Sequence, residues 1–349
     1  MDVLSQISAP LLRWYDRAAR VLPWRERPTA YRVWISEIML QQTRVEAVKP
    51  YFERFLAALP DVHALAEVPE PQLLKLWEGL GYYNRARNLQ KAARILISEY
   101  GGELPASYEA LLSLPGIGPY TAGAIASIAY HIPVPAVDGN VLRVTARLLG
   151  SAEDIADPKV KARRERELTA VLPERAGDFN QALMELGATV CLPNGAPRCG
   201  DCPLAALCTA HREGRTAELP VKSRAKRRRE EEHTVFLLTC GGRLALRKRP
   251  PKGLLAGLWE LPSVPERLSV EGARDVLFDW GIPTGPLVPL PDSKHVFTHL
   301  VWRMCAFAAE AESPSPHFCW VTPREFQVSY ALPHAFQAYF PEIRARLGL

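Results

Sequence analysis

At 349 residues the chain is long enough for two or three domains that each bury a core. Hydrophobic residues at 48% and charged ones at 23% are the proportions of a folded soluble protein, which excludes a disordered or fibrous chain, and no run approaches the roughly 18 apolar residues of a membrane span. A net charge of +5 leans towards a polyanionic partner such as nucleic acid but is too small to establish one.

The opening, MDVLSQISAPLLRWYDRAAR, lacks the cationic start and apolar stretch of a secretory signal, so an intracellular protein is expected. Residues 1–28 read as a short helix, LLRWYDRAARVL, ended by Pro23, with Trp14 and Trp24 as packing residues. From Tyr31 a long helical pattern follows, YRVWISEIMLQQTRVEAVKPYFERF. Trp34, Ile38, Val45, Val48, Phe52 and Phe55 recur at helical spacing and should face a core, with Pro50 allowing a kink or break. Glu37, Gln41 and Arg44 fall at i, i+4 and i+7, a polar stripe whose plain reading is a solvated face. Glu37, however, stands among VWISEIML, so its surroundings should be dry.

WEGLGYYNRARNLQKAARILISEYGG is a further helix entered through a glycine turn. Its Tyr82–Tyr83 pair beside Arg85 and Arg87 either fills a helix junction or stacks on bases. The central stretch runs from Leu114 to Asn140, LPGIGPYTAGAIASIAYHIPVPAVDGN. Its glycines, Gly116 and Gly118, are expected to take backbone angles closed to other residues and to feed a helix start whose free N–H groups suit an anion. Asp138, in VDGN, then caps NVLRVTARLLG, which Gly150 stops.

Basic helical segments follow, and the all-helical part ends in Cys191, Cys199, Cys202 and Cys208, spaced C-x7-C-x2-C-x5-C. In an intracellular chain such a cluster reads as metal ligands before disulfides, and four thiolates so close together can hold zinc or an iron–sulfur cluster. Cys240, Cys305 and Cys319 lie singly in strand-like runs and read as inert core residues. The run 216–231, with KSRAKRRREEE near its end, reads as a charged linker. Beyond Glu232 come short β-like runs, TVFLLTC, RLALRKR, LWELP, HVFTHLVWRMCAFAAE and HFCWVTP. Two helical stretches, 267–280 and 335–347, interrupt them, and together they predict an α+β domain.

Two carboxyl groups stand out chemically. Glu37, inside an apolar helix, should have its pKa raised by desolvation and keep a proton to donate. Asp138, at a helix N-terminus, should stay ionised, helped by the dipole and local N–H groups.

LPGIGPYTAGAIAS followed by VDGN resembles the helix–hairpin–helix DNA glycosylase superfamily, and within it the adenine DNA glycosylases, the MutY family. The resemblance covers nearly the whole chain. It implies a multidomain fold: an all-α helix–hairpin–helix glycosylase domain with an iron–sulfur cluster loop, plus a C-terminal α+β Nudix-like (MutT-like) domain. The expected boundaries are 1–28 with 136–215 for the cluster-bearing helical subdomain and 29–135 for a six-helix subdomain. The linker is expected at 216–231, and a lesion-recognition domain at 232–349.

SEIMLQQTRV resembles the family segment that carries the catalytic acid, with Glu37 at the matching position and Gln42 and Thr43 against DNA near the lesion. The GLGYYNRARNL match makes Tyr82 a wedge in the duplex. Arg25, Gly116, Gly118 and Asn140 are counted with the residues facing DNA or substrate. The four cysteines would hold a 4Fe–4S cluster, although the family's first gap has six residues and this one has seven. KGLLAGLWELP resembles the Nudix-like domain of the same enzymes but comes without the REXXEE metal-binding core, so pyrophosphate hydrolysis is not expected. Phe297, Thr298 and His299 resemble the Phe-Ser-His loop that reads 8-oxoguanine, with threonine for serine.

Breaking an N-glycosidic bond needs a better leaving group and a stabilised sugar cation, which two carboxyl groups in different environments supply. By the resemblance Glu37 protonates adenine at N7 and Asp138 stabilises or transiently bonds the oxocarbenium ion. Tyr120 stands where lyase members such as the endonuclease III family carry a lysine nucleophile, and tyrosine cannot form the Schiff base that strand cleavage requires. The expectation is therefore a monomeric, monofunctional adenine DNA glycosylase of base excision repair, cytoplasmic and nucleoid-associated. It would act on double-stranded DNA with adenine opposite 8-oxoguanine or guanine. The alternatives are a G·T mismatch thymine glycosylase, a catalytically silent iron–sulfur DNA-binding sensor and, third, a nucleotide hydrolase.

Overall fold

The computed structural model describes residues 3–223 and 227–349. Contacts divide the chain into two units, Met1–Glu67 with Asn88–Arg224, and Val68–Arg87 with Ala225–Leu349.

The first unit is helical and begins with α1 (Ser8–Ala18), α2 (Pro23–Glu26), α3 (Ala30–Leu40), α4 (Val45–Ala58) and α5 (Val62–Glu67). α3 is capped by Thr29, whose side chain accepts from Arg32 N, and it buries nearly every residue from Tyr31 to Met39. A largely apolar helix belongs inside a core, and this one packs against α2, α4 and the later helix Pro119–Ala129. The long helix expected from Tyr31 to Phe55 is two helices. α3 stops at Leu40, Gln42 takes a left-handed φ of 60°, and α4 starts at Val45. Pro50 sits inside α4 without ending it. Gln41 and Arg44 therefore lie beyond the helix that carries Glu37, and the three form no stripe.

After α6 (Glu70–Leu76), which belongs to the second unit, come α7 (Asn84–Tyr100), α8 (Tyr108–Leu112), α9 (Pro119–Ala129), α10 (Gly139–Leu149), α11 (Pro158–Thr169), α12 (Ala176–Thr189) and α13 (Thr209–Arg212). α9 is built from small residues and is buried from Thr121 to Ile128. At Gly123 a Cβ would lie 2.2 Å from the Pro135 carbonyl oxygen, so only glycine lets the 132–137 segment lie this close. That segment leads directly into Asp138. Gly116 takes φ 80° in the α8–α9 turn, as expected, whereas Gly118 takes φ −95°, open to any residue, and serves as the N-cap of α9. Leu11, Val141, Leu148, Phe179 and Leu183 centre a core between α1, α10 and α12. Full burial of each such side chain contributes about 1.5–3 kcal/mol.

The second unit is built on a sheet of seven strands among the described residues: β1 (Arg229–Cys240), β2 (Arg243–Lys248), β3 (Trp259–Glu260), β4 (Ser263–Val264), β5 (Val288–Val296), β6 (Leu300–Glu310) and β7 (Cys319–Val321). Its main path runs β3-β2-β1-β6-β5, with β4 on β1 and β7 on β2. β1 and β6 pair in parallel from Arg229↔Leu300 to Thr239↔Glu310, and the other pairs are antiparallel. Alternation along β1 sends Val235 and Leu237 to one face and Phe236 and Leu238 to the other. The first face packs on Phe326 of α15 (Pro323–Val328), Phe336, and Ile343 of α16 (Phe340–Leu347), and the second on α14 (Val270–Asp279).

The single run expected over HVFTHLVWRMCAFAAE is the end of β5, a turn at 297–299, and β6. β5 itself, VPLPDSKHV, was not expected. It carries two prolines and a largely exposed surface, which only an edge strand tolerates, and it bulges between Leu290 and Ser293. Of the linker run, 224–226 lie outside the described residues, and β1 begins at Arg229, ahead of the apolar run that announced it. Among the described residues no helix is long and apolar enough to cross a membrane.

Candidate active site

A cavity of about 530 Å3 opens in the helical unit, lined from α3, α9, α10 and α12 and by the turn after α3. Glu37 projects into it from the last turns of α3 and is only 6% exposed. Tyr120, in the first turn of α9, donates its hydroxyl to Glu37 Oε2, and that hydroxyl oxygen also lies 3.1 Å from Met184 Sδ. Burial pushes the Glu37 carboxyl up to about 7, against the Tyr120 hydrogen bond; the nearby Asp138 charge adds to the rise and Arg25 opposes it. Burial, reinforced by Glu37, also holds the Tyr120 phenol well above its usual range, so it remains a donor.

Asp138 is the N-cap of α10. Its Oδ1 accepts from Val141 N at 2.8 Å and its Oδ2 from Asn140 Nδ2 at 2.6 Å. The helix end was expected to hold this carboxyl low. Enclosure by protein outweighs those donors, however, and its pKa lies above the ordinary value. Both oxygens still accept hydrogen bonds, the pattern of an ionised carboxylate.

Arg25, Gln42, Thr43 and Asn140 line the same cavity. Gln42 is exposed in its left-handed turn, and Thr43 Oγ1 lies 3.4 Å from Gln41 O. Asn140 also accepts from Arg143 Nη2 at 2.8 Å. Arg25, read as facing DNA or substrate, spends its guanidinium inside the protein, donating to Glu185 Oε2 at 2.9 Å, Gln181 Oε1 at 3.1 Å and Arg20 O at 3.2 Å.

Glu185, which sequence reasoning missed, is 1% exposed on α12 and also takes Arg20 Nε at 2.6 Å. Burial would raise its carboxyl, but the Arg20 hydrogen bond and the charges of Arg25 and Arg20 hold it below the ordinary value. The signal available was a lone glutamate in the apolar run ALMELGA, one helical turn after Gln181.

Gly116 and Gly118 do not line this cavity. The four cysteines line another, of about 30 Å3. Arg147 Nη1 lies 3.2 Å from Cys191 Sγ, and Cys208 Sγ lies 3.4 Å from Arg147 O. Burial pushes the Cys202 thiol up to about 11. Among the described residues no three His, Cys, Asp or Glu side chains form a ready single-ion site.

In the second unit the tyrosine pair divides. Tyr83 is buried and donates to Leu332 O at 3.4 Å, while Tyr82 is 49% exposed with a left-handed φ of 48°. The Tyr82 hydroxyl lies 2.9 Å from Thr298 Oγ1. Thr298 and His299 are exposed at the tip of the β5–β6 hairpin, and Phe297 folds inward between His295 and Trp302, with ring centroids at 4.5 and 5.0 Å.

A helical unit with paired carboxyls in one cavity, joined in sequence to a two-faced mixed sheet, is matched by two family models. Residues 35–170 match the HhH-GPD superfamily base excision DNA repair protein, and residues 234–341 match the NUDIX domain. Two solved structures share the helical fold. A thermostable thymine-DNA glycosylase has TM-score 0.55 and 28% identity, covering 60% of this chain and 97% of its own. A trapped endonuclease III–DNA covalent intermediate has TM-score 0.52 and 28% identity, covering 61% and 99%. The chain is thus a DNA glycosylase of base excision repair, with DNA as its partner.

Within that class, the adenine DNA glycosylase of Rattus norvegicus is 38% identical over 94% of this chain and 77% of its own length. The chain belongs to the adenine DNA glycosylase family.

Proposed function

We propose that the protein hydrolyses the N-glycosidic bond of adenine mispaired with 8-oxoguanine or guanine, leaving an intact abasic strand. The observation that carries this reading is Glu37, a buried carboxyl with a pKa raised to about 7, held by a neutral phenol and sharing its cavity with Asp138. Near neutral pH an acid so placed keeps a proton on a good fraction of molecules while remaining strong enough to donate it.

The target adenosine leaves the base stack and enters this cavity. Glu37 Oε2 is engaged by Tyr120, so its proton rides on Oε1 and passes to adenine N7. The C1′–N9 bond then breaks, its electron pair leaving with the base. Asp138, whose oxygens accept from Val141 and Asn140, faces the cationic sugar as an anion and stabilises or transiently bonds it. Water adds its hydroxyl to C1′ and yields its proton to a carboxylate, and neutral adenine and an abasic site remain.

Tyr120 cannot form a Schiff base and its hydroxyl is engaged by Glu37, so no lyase step follows. Efficient nicking without alkali or heat would contradict this. Gln42 and Thr43, on the irregular turn at the cavity, meet the DNA beside the extruded nucleotide, and Gly116 and Gly118 offer backbone N–H groups to a phosphate. Exposed Tyr82 enters the duplex as a wedge, and Phe297, Thr298 and His299 read the base opposite adenine.

Cys191, Cys199, Cys202 and Cys208 ring one cavity, and four thiolates there would hold a 4Fe–4S cluster. Such a cluster would supply a structural brace. The proposed organisation is a cluster-bearing subdomain (1–28 and 136–215), a six-helix subdomain (29–135), a linker (216–231) and a lesion-recognition domain (232–349), in a cytoplasmic, nucleoid-associated monomer.

The fold shared with a thymine-DNA glycosylase favours a second substrate, thymine opposite guanine. A single-turnover assay on duplexes with A opposite 8-oxoguanine, A opposite G, T opposite G, and A opposite T separates the two. Alkali-revealed abasic sites in the first two duplexes only are expected, and release from T opposite G alone would replace the adenine reading.

A further inference from the structure

Adjoining the catalytic cavity is a second one, of about 650 Å3, that the chemistry above does not use. Both are in the helical unit, and their linings share three side chains, Arg25, Ile128 and Gln181, which form the partition. Arg25 Nε donates to Gln181 Oε1 at 3.1 Å, closing the polar part of that wall. On the catalytic side the guanidinium meets Glu185; on the other it lies over the Tyr15 ring, 5.5 Å from the centroid. The partition is therefore three side chains, two of them, Arg25 and Gln181, joined by one hydrogen bond.

Beyond Tyr15 the chamber is walled by the carboxylates of Glu174 and Asp178, by Arg175, whose Nε donates to Asp178 Oδ2 at 2.8 Å, and by the exposed His131. Its volume falls within the range of about 300–1,000 Å3 typical of small-molecule sites. An aromatic face together with the Glu174 carboxylate as an acceptor is chemistry that suits a planar, amine-bearing nucleobase.

The need for such a chamber follows from the reaction as read above, on which this inference rests. The extruded nucleotide enters from the DNA and stays tethered on both sides by its phosphodiesters. After the C1′–N9 bond breaks, the abasic sugar still fills the front of the cavity, with the free base behind it. We propose that the 650 Å3 chamber is the exit for the released purine, and that the Arg25–Gln181 pair is its gate, opening by side-chain rotation while the enzyme remains on its abasic product.

The test follows the base rather than the cut, using the full-length protein and a duplex carrying tritiated adenine opposite 8-oxoguanine, with enzyme in excess. Alkali-revealed abasic sites report bond cleavage, and radioactivity passing a membrane that retains protein and DNA reports base escape. In the wild type, escape should keep pace with cleavage while the abasic DNA is still bound. Glu174→Trp and Pro28→Trp fill the chamber from outside the catalytic cavity. Each should leave cleavage within about twofold of wild type and slow escape at least tenfold, towards the rate of DNA dissociation.

Two variants at separate points guard against one that misfolds, and unchanged cleavage is itself the check on folding. Escape that waits for DNA dissociation in the wild type would overturn the proposal, as would escape at the cleavage rate in both filled variants. Absence of cleavage in the wild type would instead refute the adenine reading on which the proposal stands.

Discussion

Two buried glutamates border the same cavity, and the protein treats them in opposite ways. Glu185, on α12, is held by the guanidiniums of Arg20 and Arg25 and ionises more readily than a free side chain. Glu37, on α3, is offered only the neutral hydroxyl of Tyr120 and titrates near 7. Burial pushes both carboxyls up, and the formal charge of the hydrogen-bond partner decides whether that rise is cancelled. A cation beside a dry carboxylate makes an anchor, and a neutral donor beside it leaves a proton available.

The largest expected effect of breaking this contrast is at Glu37 itself. Glu37→Gln removes the proton donor and should lower the single-turnover rate by a factor of roughly 10³ or more, within the range of about 10²–10⁴ for general acid catalysis. The same variant should be more stable at pH 8. A group whose pKa is raised in the folded state destabilises the fold as pH climbs from the unfolded value near 4.5 towards 7. Removing it recovers up to about 3 kcal/mol, visible as a higher Tm at pH 8 and not at pH 4. A Tm gain equal at both pH values would mean that the carboxyl is not the source.

Next in size, Asp138→Asn should slow cleavage by roughly 10²–10³ while stability changes little, since asparagine caps a helix nearly as well. Asp138→Ala should add about 1 kcal/mol of destabilisation in urea unfolding. Equal rates for Asn and wild type would leave Asp138 a cap and nothing more.

Glu185→Gln leaves two guanidiniums short of an anion and should cost about 1–3 kcal/mol. Because Glu185 carries a depressed pKa, its contribution is present above the ordinary carboxylate range and is lost as pH falls through the folded value. The Arg25 charge, no longer neutralised, should act more strongly on Glu37 and move the alkaline limb of the rate–pH profile, where the proton donor is lost, to lower pH. Tyr120→Phe works the other way, deleting the hydrogen bond that favours the ionised form, and should shift that limb to higher pH. Profiles that move in the same direction would disprove the division between anchor and acid. The smallest effect belongs to Thr298→Val, which loses the contact to Tyr82 at 2.9 Å and should weaken lesion-duplex binding by a few fold in a titration.

Glu37 was legible in the sequence because a single carboxyl in VWISEIML has nowhere wet to go. Asp138 was legible as a cap because VDGN precedes an amphipathic run. The contact that tunes Glu37 was not, since Tyr120 is 83 positions away and local pattern carries no information about which helices meet. Glu185 and its arginines were hidden for the same reason, their separations being 160 and 165 positions. The break after α3 escaped notice because QQTR has no glycine or proline to mark it, and its left-handed residue is a glutamine. β5 was missed because edge exposure erases the alternation by which a strand is read.

The parallel pairing of β1 with β6 has a consequence for how the protein is made. Partners in that ladder stand about seventy residues apart, as Glu231 and Trp302 do. On the ribosome, TVFLLTC therefore emerges as an adhesive strand well before its mate exists. The charged REEE ahead of it, at the start of β1, is placed to act as a gatekeeper that keeps nascent chains from finding one another first.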